Sequence, residues 1–253
     1  MLISNVILII LSNAVTDRRD KSILFNRISM IVLTYSIINS LISLGFKSFE
    51  KGIGIYNGLF FTTSITSTFQ IFIYMLCIII LQLNSFYPRK LFFFKGYNVF
   101  FGENTKFMPN ILDKIGENYK IIEYPLILLF IIMGANFLIS SSDLISVFIS
   151  IELQSYGLYL LCCLYRNSES STSAGLIYFL LGGLSSCFIL LGIALIYINI
   201  GTTNLDNFYI INNLHDIINY NFINNYTINY LDVSLIIMAV GFLFKISAAP
   251  FHF

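Results

Sequence analysis

Residues 144–164 read LISVFISIELQSYGLYLLCCL, an apolar run with a glutamate, Glu152, near its middle. An α-helix rises about 1.5 Å per residue, so roughly 17–25 apolar residues span the hydrocarbon core of a bilayer. An ionisable side chain at the centre of such a helix costs roughly 2.5–3.5 kcal/mol to insert, and helices that keep one usually need it to handle ions or protons. The run therefore predicts a membrane-spanning helix, with Glu152 as its first candidate functional residue.

The residue before this run indicates where the helix starts. Asp143 is of a type that caps helix N-termini, and Glu152 follows it nine positions later. We therefore expect the glutamate roughly 13 Å along the helix axis, close to the bilayer centre. Ser150, Gln154 and Ser155 lie beside it in the sequence and could hold water or relay protons. In an alternative interpretation, the carboxylate is held in one lasting ion pair or hydrogen bond and only selects how the helices pack.

A second ionisable side chain, Lys245, lies in the last apolar run, Val233–Ala249. Desolvation favours the neutral form of a lysine and an acidic neighbour favours the charged form, so a lysine at this depth can change its charge. Pro250 lacks a backbone N–H and is expected to kink or break the helix just past the lysine. His252 is either a proton relay or a hydrogen-bonded structural residue. Two opposite charges at membrane depth make a proton or cation pathway the leading hypothesis.

The whole composition is that of an integral membrane protein. Hydrophobic residues make up 57% of the chain and charged residues 11%, with a mean hydropathy of +0.82, whereas soluble domains carry about 25% charged residues. The net charge of +1 gives no indication of a nucleic-acid partner. The sequence has no glycine-rich nucleotide motif and no metal-ligand spacing, and its four cysteines show no C-x-x-C spacing. We therefore expect no cofactor and no metal in this chain.

Seven apolar runs predict an all-α, polytopic membrane helix bundle with about seven transmembrane helices, the seventh broken near Pro250. The runs lack the strict alternation of membrane strands and are too long for them. Residues 1–83 would hold the first three helices, 84–123 a basic loop, and 124–253 a core of helices four to seven. The predicted helices are Leu2–Thr16, Ile28–Phe46, Gly58–Leu83, Tyr124–Ser140, Leu144–Tyr165, Ala174–Ile198 and Asp232–Pro250.

Lysine and arginine are distributed unevenly among the connections. Eleven of them follow helices one, three and five, whereas only Lys47 and Lys51 follow helices two, four and six. By the positive-inside rule, loops 17–27, 84–123 and 166–173 then face the cytoplasm or matrix, and the N-terminus faces the opposite side. The eleven are Arg18, Arg19, Lys21, Arg27, Arg89, Lys90, Lys95, Lys106, Lys114, Lys120 and Arg166.

Short motifs within residues 139–183 and 240–253 resemble the subunit 2 family of proton-pumping NADH:ubiquinone oxidoreductase, respiratory complex I. The resemblance is to fungal, mitochondrially encoded members, and it extends loosely over the entire chain. The motifs are Asp143-Leu144, Glu152-Leu153-Gln154-Ser155-Tyr156, Arg166-Asn167-Ser168-Glu169, Tyr178-Phe179-Leu180-Leu181-Gly182, Phe244-Lys245 and Ala249-Pro250-Phe251-His252.

The resemblance implies an antiporter-like subunit in which a glutamate of the fifth helix pairs with a lysine of a discontinuous seventh helix. Matched by position, these residues are Glu152 and Lys245, and the role implied for them is proton translocation. Bacterial members of the family often carry a lysine at the position of Ile177, so a relay role at that position is not supported in this chain.

The same resemblance implies a place in the membrane arm of complex I, in the mitochondrial inner membrane, with the N-terminus on the intermembrane-space side. NADH, FMN, iron–sulfur clusters and ubiquinone would be bound by partner subunits, and this chain would hold no redox centre. Members of the family are longer, so we expect this sequence to be an N-terminal part. Two alternatives stay open: a subunit of the related multisubunit cation/proton antiporters, and a non-transporting assembly scaffold.

Overall fold

A computed structural model of the chain describes residues 2–15, 22–46, 51–84, 123–165, 168–211, 213 and 230–251. These residues form two compact units. The first contains the described residues of Met1–Asn39 and Ile71–Leu129, and the second contains those of Ser40–Gln70 and Phe130–Phe253. Glu152 and Lys245 both belong to the second unit. His252 and most of the predicted basic loop, 84–123, lie outside the described residues.

The predicted all-α architecture is confirmed, apart from one short hairpin among the described residues. Five of the described helices, α2 to α6, are long and apolar enough to cross a membrane, so seven crossings stay a prediction. A further short segment, 205–211, is also helical. The long helices are α1 (Leu2–Val15), α2 (Ser22–Leu44), α3 (Ser64–Asn84), α4 (Glu123–Ser140), α5 (Leu144–Cys162), α6 (Glu169–Ile200) and α7 (Tyr230–Ile246).

Two helices begin earlier than predicted because polar residues extend them. α2 begins at Ser22 instead of Ile28, so Arg27 lies in the helix and not in a loop. α6 begins at Glu169 instead of Ala174. The hydroxyl of Thr172 donates to the Glu169 carbonyl at 3.0 Å, which lets a polar residue remain in the first turn. An apolar run marks the length of a helix that avoids water, whereas the helix itself ends where its backbone hydrogen bonds end.

Residues 53–62 form a hairpin where the sequence predicted the start of the third helix. Strand β1 (Ile53–Ile55) pairs antiparallel with strand β2 (Phe60–Thr62). In the turn between them, Tyr56, Asn57 and Gly58 have φ angles of +54°, +56° and +86°. An Asn-Gly pair favours such a turn because both residue types tolerate positive φ. The predicted start of the third helix at Gly58 is therefore wrong.

The end of β2 is also the start of α3. The backbone N–H of Thr66 donates to the Thr63 hydroxyl oxygen at 3.3 Å, and the backbone N–H of Thr63 donates to the Thr66 hydroxyl oxygen at 2.9 Å. This reciprocal pair satisfies two backbone donors, as a capping box does. The cap accounts for a helix that begins at Ser64.

The hairpin turn and a later loop both bind the N-terminus of α5. The carbonyl of Leu59, in the turn, accepts the Ser142 backbone N–H at 3.1 Å and the Ser146 hydroxyl at 3.2 Å. From the other side, the Leu144 N–H donates to the Thr203 carbonyl at 2.9 Å. The helix that carries Glu152 is therefore held at its N-terminal end by two separate connections.

α6 and α7 pack closely because glycines line their contact. A Cβ on Gly192 would lie 2.7 Å from the Cβ of Met238, and one on Gly241 would lie 2.6 Å from the Cγ1 of Ile189. Small residues let helix backbones approach in this way, which favours association of membrane helices. A buried cluster surrounds the contact and consists of Leu144, Ile189, Ile193 and Ile196.

Candidate functional site

Glu152 is positioned by α5, whose N-cap is Asp143, as predicted. The helix runs from Leu144 to Cys162, so the glutamate lies close to its middle. Its side chain is 14% exposed, and its carboxylate is directed toward α7. A carboxylate this far from both helix ends cannot reach water by extending past an end of the helix.

Lys245 is positioned by the end of α7. Ser247 has a φ of +56°, its N–H donates to the Phe244 carbonyl at 3.2 Å, and the N–H of Ala248 donates to the Leu243 carbonyl at 3.1 Å. These two bonds form a Schellman motif, which closes a helix with one left-handed residue. Lys245 therefore occupies the last turn of α7, where a positive charge interacts favourably with the helix dipole.

The seventh helix was predicted to extend to Pro250, and this prediction is wrong by one turn. α7 ends at Ile246. The Schellman motif ends the helix ahead of the proline, although the predicted interruption just past Lys245 is present. A proline commonly follows such an end because it cannot continue the helix.

The structure brings Glu152 and Lys245 together, as the family resemblance implied. The ammonium Nζ of Lys245 donates to Oε1 of Glu152 at 2.5 Å, across 93 positions of sequence. The two side chains are 13% and 14% exposed. A charge-assisted hydrogen bond is about twice as strong as a neutral one, so this contact ties α5 to α7.

Of the three polar residues predicted to lie beside Glu152, only Ser155 contacts the ion pair. Its Oγ lies 3.4 Å from Oε2 of Glu152 and 3.5 Å from Nζ of Lys245. Both serines donate to the carbonyl three residues earlier in their own helix, Ser150 to Val147 at 2.8 Å and Ser155 to Glu152 at 2.9 Å. The backbone of Gln154 lies against Gly134 of α4, where an added Cβ would be 2.8 Å from the Gln154 nitrogen.

The contribution of such an ion pair to the stability of the fold is the small difference between two large terms. Desolvation of the two charges opposes the pair and their mutual attraction favours it, so the net contribution to stability is small. Removing one partner is different, because the remaining charge is left without compensation at a cost of about 3–5 kcal/mol. Each charge therefore depends on the other for its stability in these surroundings.

Tyr159, which was not among the predicted site residues, lies on the same face of α5 as Glu152 and Ser155. It is 7% exposed, and its ring meets that of Tyr178 edge-on with the centroids 4.7 Å apart. Its spacing from Glu152 and Ser155, at positions i, i+3 and i+7, is the signal that could have revealed it.

His252 lies outside the described residues. Among the residues that the structure describes, no group of three or more His, Cys, Asp or Glu side chains is arranged to hold a metal ion. Ile177, whose side chain offers no group for a proton relay, is 56% exposed.

A polytopic helical chain, with an acid on one helix paired to a lysine in the last turn of another, has the architecture of an antiporter-like membrane protein. Residues 141–253 match the model of the NADH:quinone oxidoreductase/Mrp antiporter transmembrane family. The matched part contains both Glu152 and Lys245. This match confirms the resemblance that the motifs indicated.

Individual relatives agree with this assignment. NADH-ubiquinone oxidoreductase chain 2 of Rhizopus oryzae is 40% identical over 252 residues, which cover 100% of this chain and 45% of that one. A putative uncharacterized mitochondrial protein of Neurospora crassa is 35% identical over 231 residues, covering 88% of this chain and 86% of that protein. This chain therefore spans less than half the length of the Rhizopus relative and most of the length of the Neurospora one.

A solved structure has the same fold. A chain of respiratory complex I from Thermus thermophilus, determined with bound aureothin, matches with a TM-score of 0.65 and 20% identity. The match covers 99% of this chain and 44% of that chain. At this identity the similarity shows that the helices are arranged alike.

Proposed function

We propose that this chain is a membrane-arm subunit of proton-pumping NADH:ubiquinone oxidoreductase in the mitochondrial inner membrane, where it contributes to proton translocation. The observation that carries the proposal is the Glu152–Lys245 ion pair between α5 and α7, in a chain 40% identical to a fungal chain 2. The reaction driving translocation would be NADH oxidation coupled to ubiquinone reduction. NADH, FMN, iron–sulfur clusters and ubiquinone are assigned to partner subunits, and the role of this chain lies in moving protons.

The geometry supports a proton-exchange step at Lys245. While the pair is closed, the Glu152 carboxylate stabilises the protonated ammonium. Separating the two removes this stabilisation. Lys245 lies in the last turn of α7, so a small change at this helix end is enough to alter the distance between the charges. Opening and closing of the pair would release and reload a proton.

The orientation of the chain in the membrane is part of the proposal. We place the N-terminus on the intermembrane-space side and the basic segments 17–27, 84–123 and 166–173 on the matrix side. Support comes from the uneven distribution of lysine and arginine, which favours the matrix for these connections. Arg27 lies in the second turn of α2 and not in the preceding loop as predicted, but it is still near the N-terminal end of that helix.

The variant Glu152→Gln tests the transport role, because it removes the charge with little change in shape. In membrane vesicles that carry the assembled complex, we expect the number of protons translocated per NADH oxidised to fall severalfold. The physical reason is that positioned acid–base groups typically contribute about 10²–10⁴-fold to proton-transfer steps. The matched control is Glu169→Gln, which removes an exposed carboxylate at the start of α6 and should leave translocation unchanged.

The same experiment separates the proposal from its two alternatives. Unchanged translocation by Glu152→Gln in a fully assembled complex would contradict the transport role and favour a scaffold. Affinity purification of the tagged chain addresses the second alternative, a cation/proton antiporter, which the family also includes. NADH dehydrogenase activity should co-purify with the chain. Recovery of cation/proton exchange without that activity would favour the antiporter.

A further inference from the structure

Three side chains on one face of α5 form a row that leads away from the ion pair. Glu152, Ser155 and Tyr159 are spaced three and four residues apart, which places them one above the other along the helix. Oγ of Ser155 lies 3.4 Å from Oε2 of Glu152 and 3.5 Å from Nζ of Lys245. The serine hydroxyl is therefore within reach of both members of the pair.

The phenol of Tyr159 continues this row toward α6. A Cβ on Gly182 would overlap the phenol hydroxyl, so this hydroxyl fills the space that the glycine leaves on α6. The ring is held edge-on by Tyr178 and by Phe179, with centroid distances of 4.7 and 5.7 Å. A buried phenol usually finds a polar partner. Ser155, four residues earlier on the same helix, is the hydroxyl that precedes it on this face.

The rest of α6 offers no acidic or basic side chain for this route. After Glu169 the helix contains no lysine, arginine, aspartate or glutamate. At position 177 it has an isoleucine that is 56% exposed. A proton that moves between the ion pair and this part of α6 must therefore travel by hydroxyl groups or water.

We propose that Ser155 and Tyr159 form a hydroxyl relay that passes protons between the Glu152–Lys245 pair and the contact of α5 with α6. This inference rests on the proposed function, since it names the route by which protons reach or leave the pair. In the outward direction, Nζ of Lys245 loses a proton to Oγ of Ser155, the serine proton moves to the Tyr159 oxygen, and the phenolic proton moves to a water molecule. Each hydroxyl gains one proton and loses one, so neither remains ionised.

The variant Tyr159→Phe tests the relay because it removes the hydroxyl and keeps the ring and its aromatic contacts. In vesicles carrying the assembled complex, we expect protons translocated per NADH oxidised to fall about twofold or more, with water partly replacing the hydroxyl. The control is Tyr156→Phe, which changes a tyrosine on the same helix that is 52% exposed and should have no effect. Unchanged translocation by Tyr159→Phe would overturn the relay.

A solvent isotope effect distinguishes a relay from a packing role. If proton transfer becomes slow in Tyr159→Phe, replacing H₂O by D₂O should slow coupled NADH oxidation more in the variant than in the wild type. A residue that only supports packing would lower activity with an unchanged isotope effect. That outcome would also overturn the relay.

Ser155 provides a second test that does not depend on the tyrosine. Ser155→Ala should lower translocation, and Ser155→Thr, which restores a hydroxyl, should recover it; Ser150→Ala is the matched control. If the complex with Tyr159→Phe fails to assemble, the two Ser155 variants test the relay in its place. Normal translocation by Ser155→Ala would overturn the relay.

Glycine variants add a test from the side of α6. Gly182→Ala should impair translocation, because its Cβ displaces the phenol, whereas Gly183→Ala should not, because a Cβ there meets nothing within 4 Å. Equal translocation by the two variants would overturn the relay.

The result for Glu152→Gln separates failure of the relay from failure of the proposed function. Loss of translocation in Glu152→Gln, together with normal translocation in Tyr159→Phe and Ser155→Ala, overturns only the relay. Normal translocation in Glu152→Gln overturns the proposed function and the relay with it.

Discussion

At the scale of single residues, the ion pair combines two properties that are rarely found together. Its atoms are close, with 2.5 Å between Lys245 Nζ and Glu152 Oε1, yet both side chains keep 13–14% of their surface exposed. Close contact makes each charge dependent on the other, and partial exposure leaves room for water to exchange protons. A pair sealed completely from water would serve packing better than transport.

Lys245→Met tests whether the Glu152 carboxylate depends on its partner charge, because the variant removes the ammonium and leaves the carboxylate unpaired. We expect reduced translocation in a largely assembled complex and a lower midpoint of thermal unfolding. An uncompensated buried charge costs about 3–5 kcal/mol, and less where water reaches the carboxylate. In the double variant Glu152→Gln/Lys245→Met both charges are gone, so its unfolding midpoint should lie above that of Lys245→Met.

The double variant separates electrostatics from loss of side-chain packing. If it is no more stable than Lys245→Met, the destabilisation does not come from the unpaired carboxylate. Lys51→Met is the control for loss of a lysine, because Lys51 is exposed and lies outside the helices. Loss of assembly without a separable translocation defect would favour a scaffold.

At the scale of elements, the contact between α6 and α7 determines where Lys245 lies. The contact requires glycine in α7 because backbone atoms of α6 occupy the space that a side chain would need. A Cβ on Gly241 would lie 2.9 Å from the Ser185 carbonyl oxygen. Ser185 is itself only 1% exposed. Moving α7 away from α6 would displace its last turn, and with it the lysine.

Gly241→Ala is therefore expected to destabilise the protein by about 1–3 kcal/mol, the usual cost of overpacking a tight core. The measurement is the midpoint of thermal unfolding of the purified complex. Gly183→Ala makes the same substitution in α6 at a site with open space, and it should be neutral or slightly stabilising, because alanine favours the helix by about 1 kcal/mol over glycine. Similar destabilisation by both variants would show that the close contact at Gly241 is not the cause.

At the scale of the whole molecule, alternate connections meet at one end of the helices of the second unit. The hairpin turn after α2, the connection from α4 to α5 and the loop after α6 are joined by hydrogen bonds through Leu59, Ser142 and Thr203. These are the connections following helices two, four and six, which carry few positive charges. Their meeting supports an alternating path through the membrane, as the charge distribution predicts.

Labelling of introduced cysteines tests the orientation in mitochondria whose outer membrane has been removed. In a background with the four native cysteines replaced by alanine, Lys51→Cys should react with a membrane-impermeant thiol reagent. Glu169→Cys should react only after the inner membrane is permeabilised. Both positions are exposed, so accessibility depends on the side of the membrane. The reverse labelling pattern would contradict the proposed orientation, and labelling of both would contradict a crossing between them.

Much of the fold could be predicted from apolar runs. All seven predicted helices have counterparts, and the start of α5 after Asp143 was predicted from its capping residue. The errors lie where local hydrogen bonds override hydropathy. The hairpin at 53–62 replaced the start of a helix because Asn57 and Gly58 favour a turn. α7 ended at Ile246 because Ser247 adopts a left-handed conformation, which is uncommon for a residue with a side chain.

The sequence by itself determined that this is a polytopic helical membrane protein and that Glu152 and Lys245 are its exceptional charges, because hydropathy and charge are local properties that a bilayer selects directly. The order of the motifs in the sequence also indicated which protein family this chain resembles. Only the tertiary structure decided that the two charges touch, that Ser155 and not Ser150 faces them, and that Tyr159 fills the space left by Gly182. Contacts between helices depend on how each helix is rotated and where it ends, and these follow from packing and hydrogen bonds between segments distant in the chain.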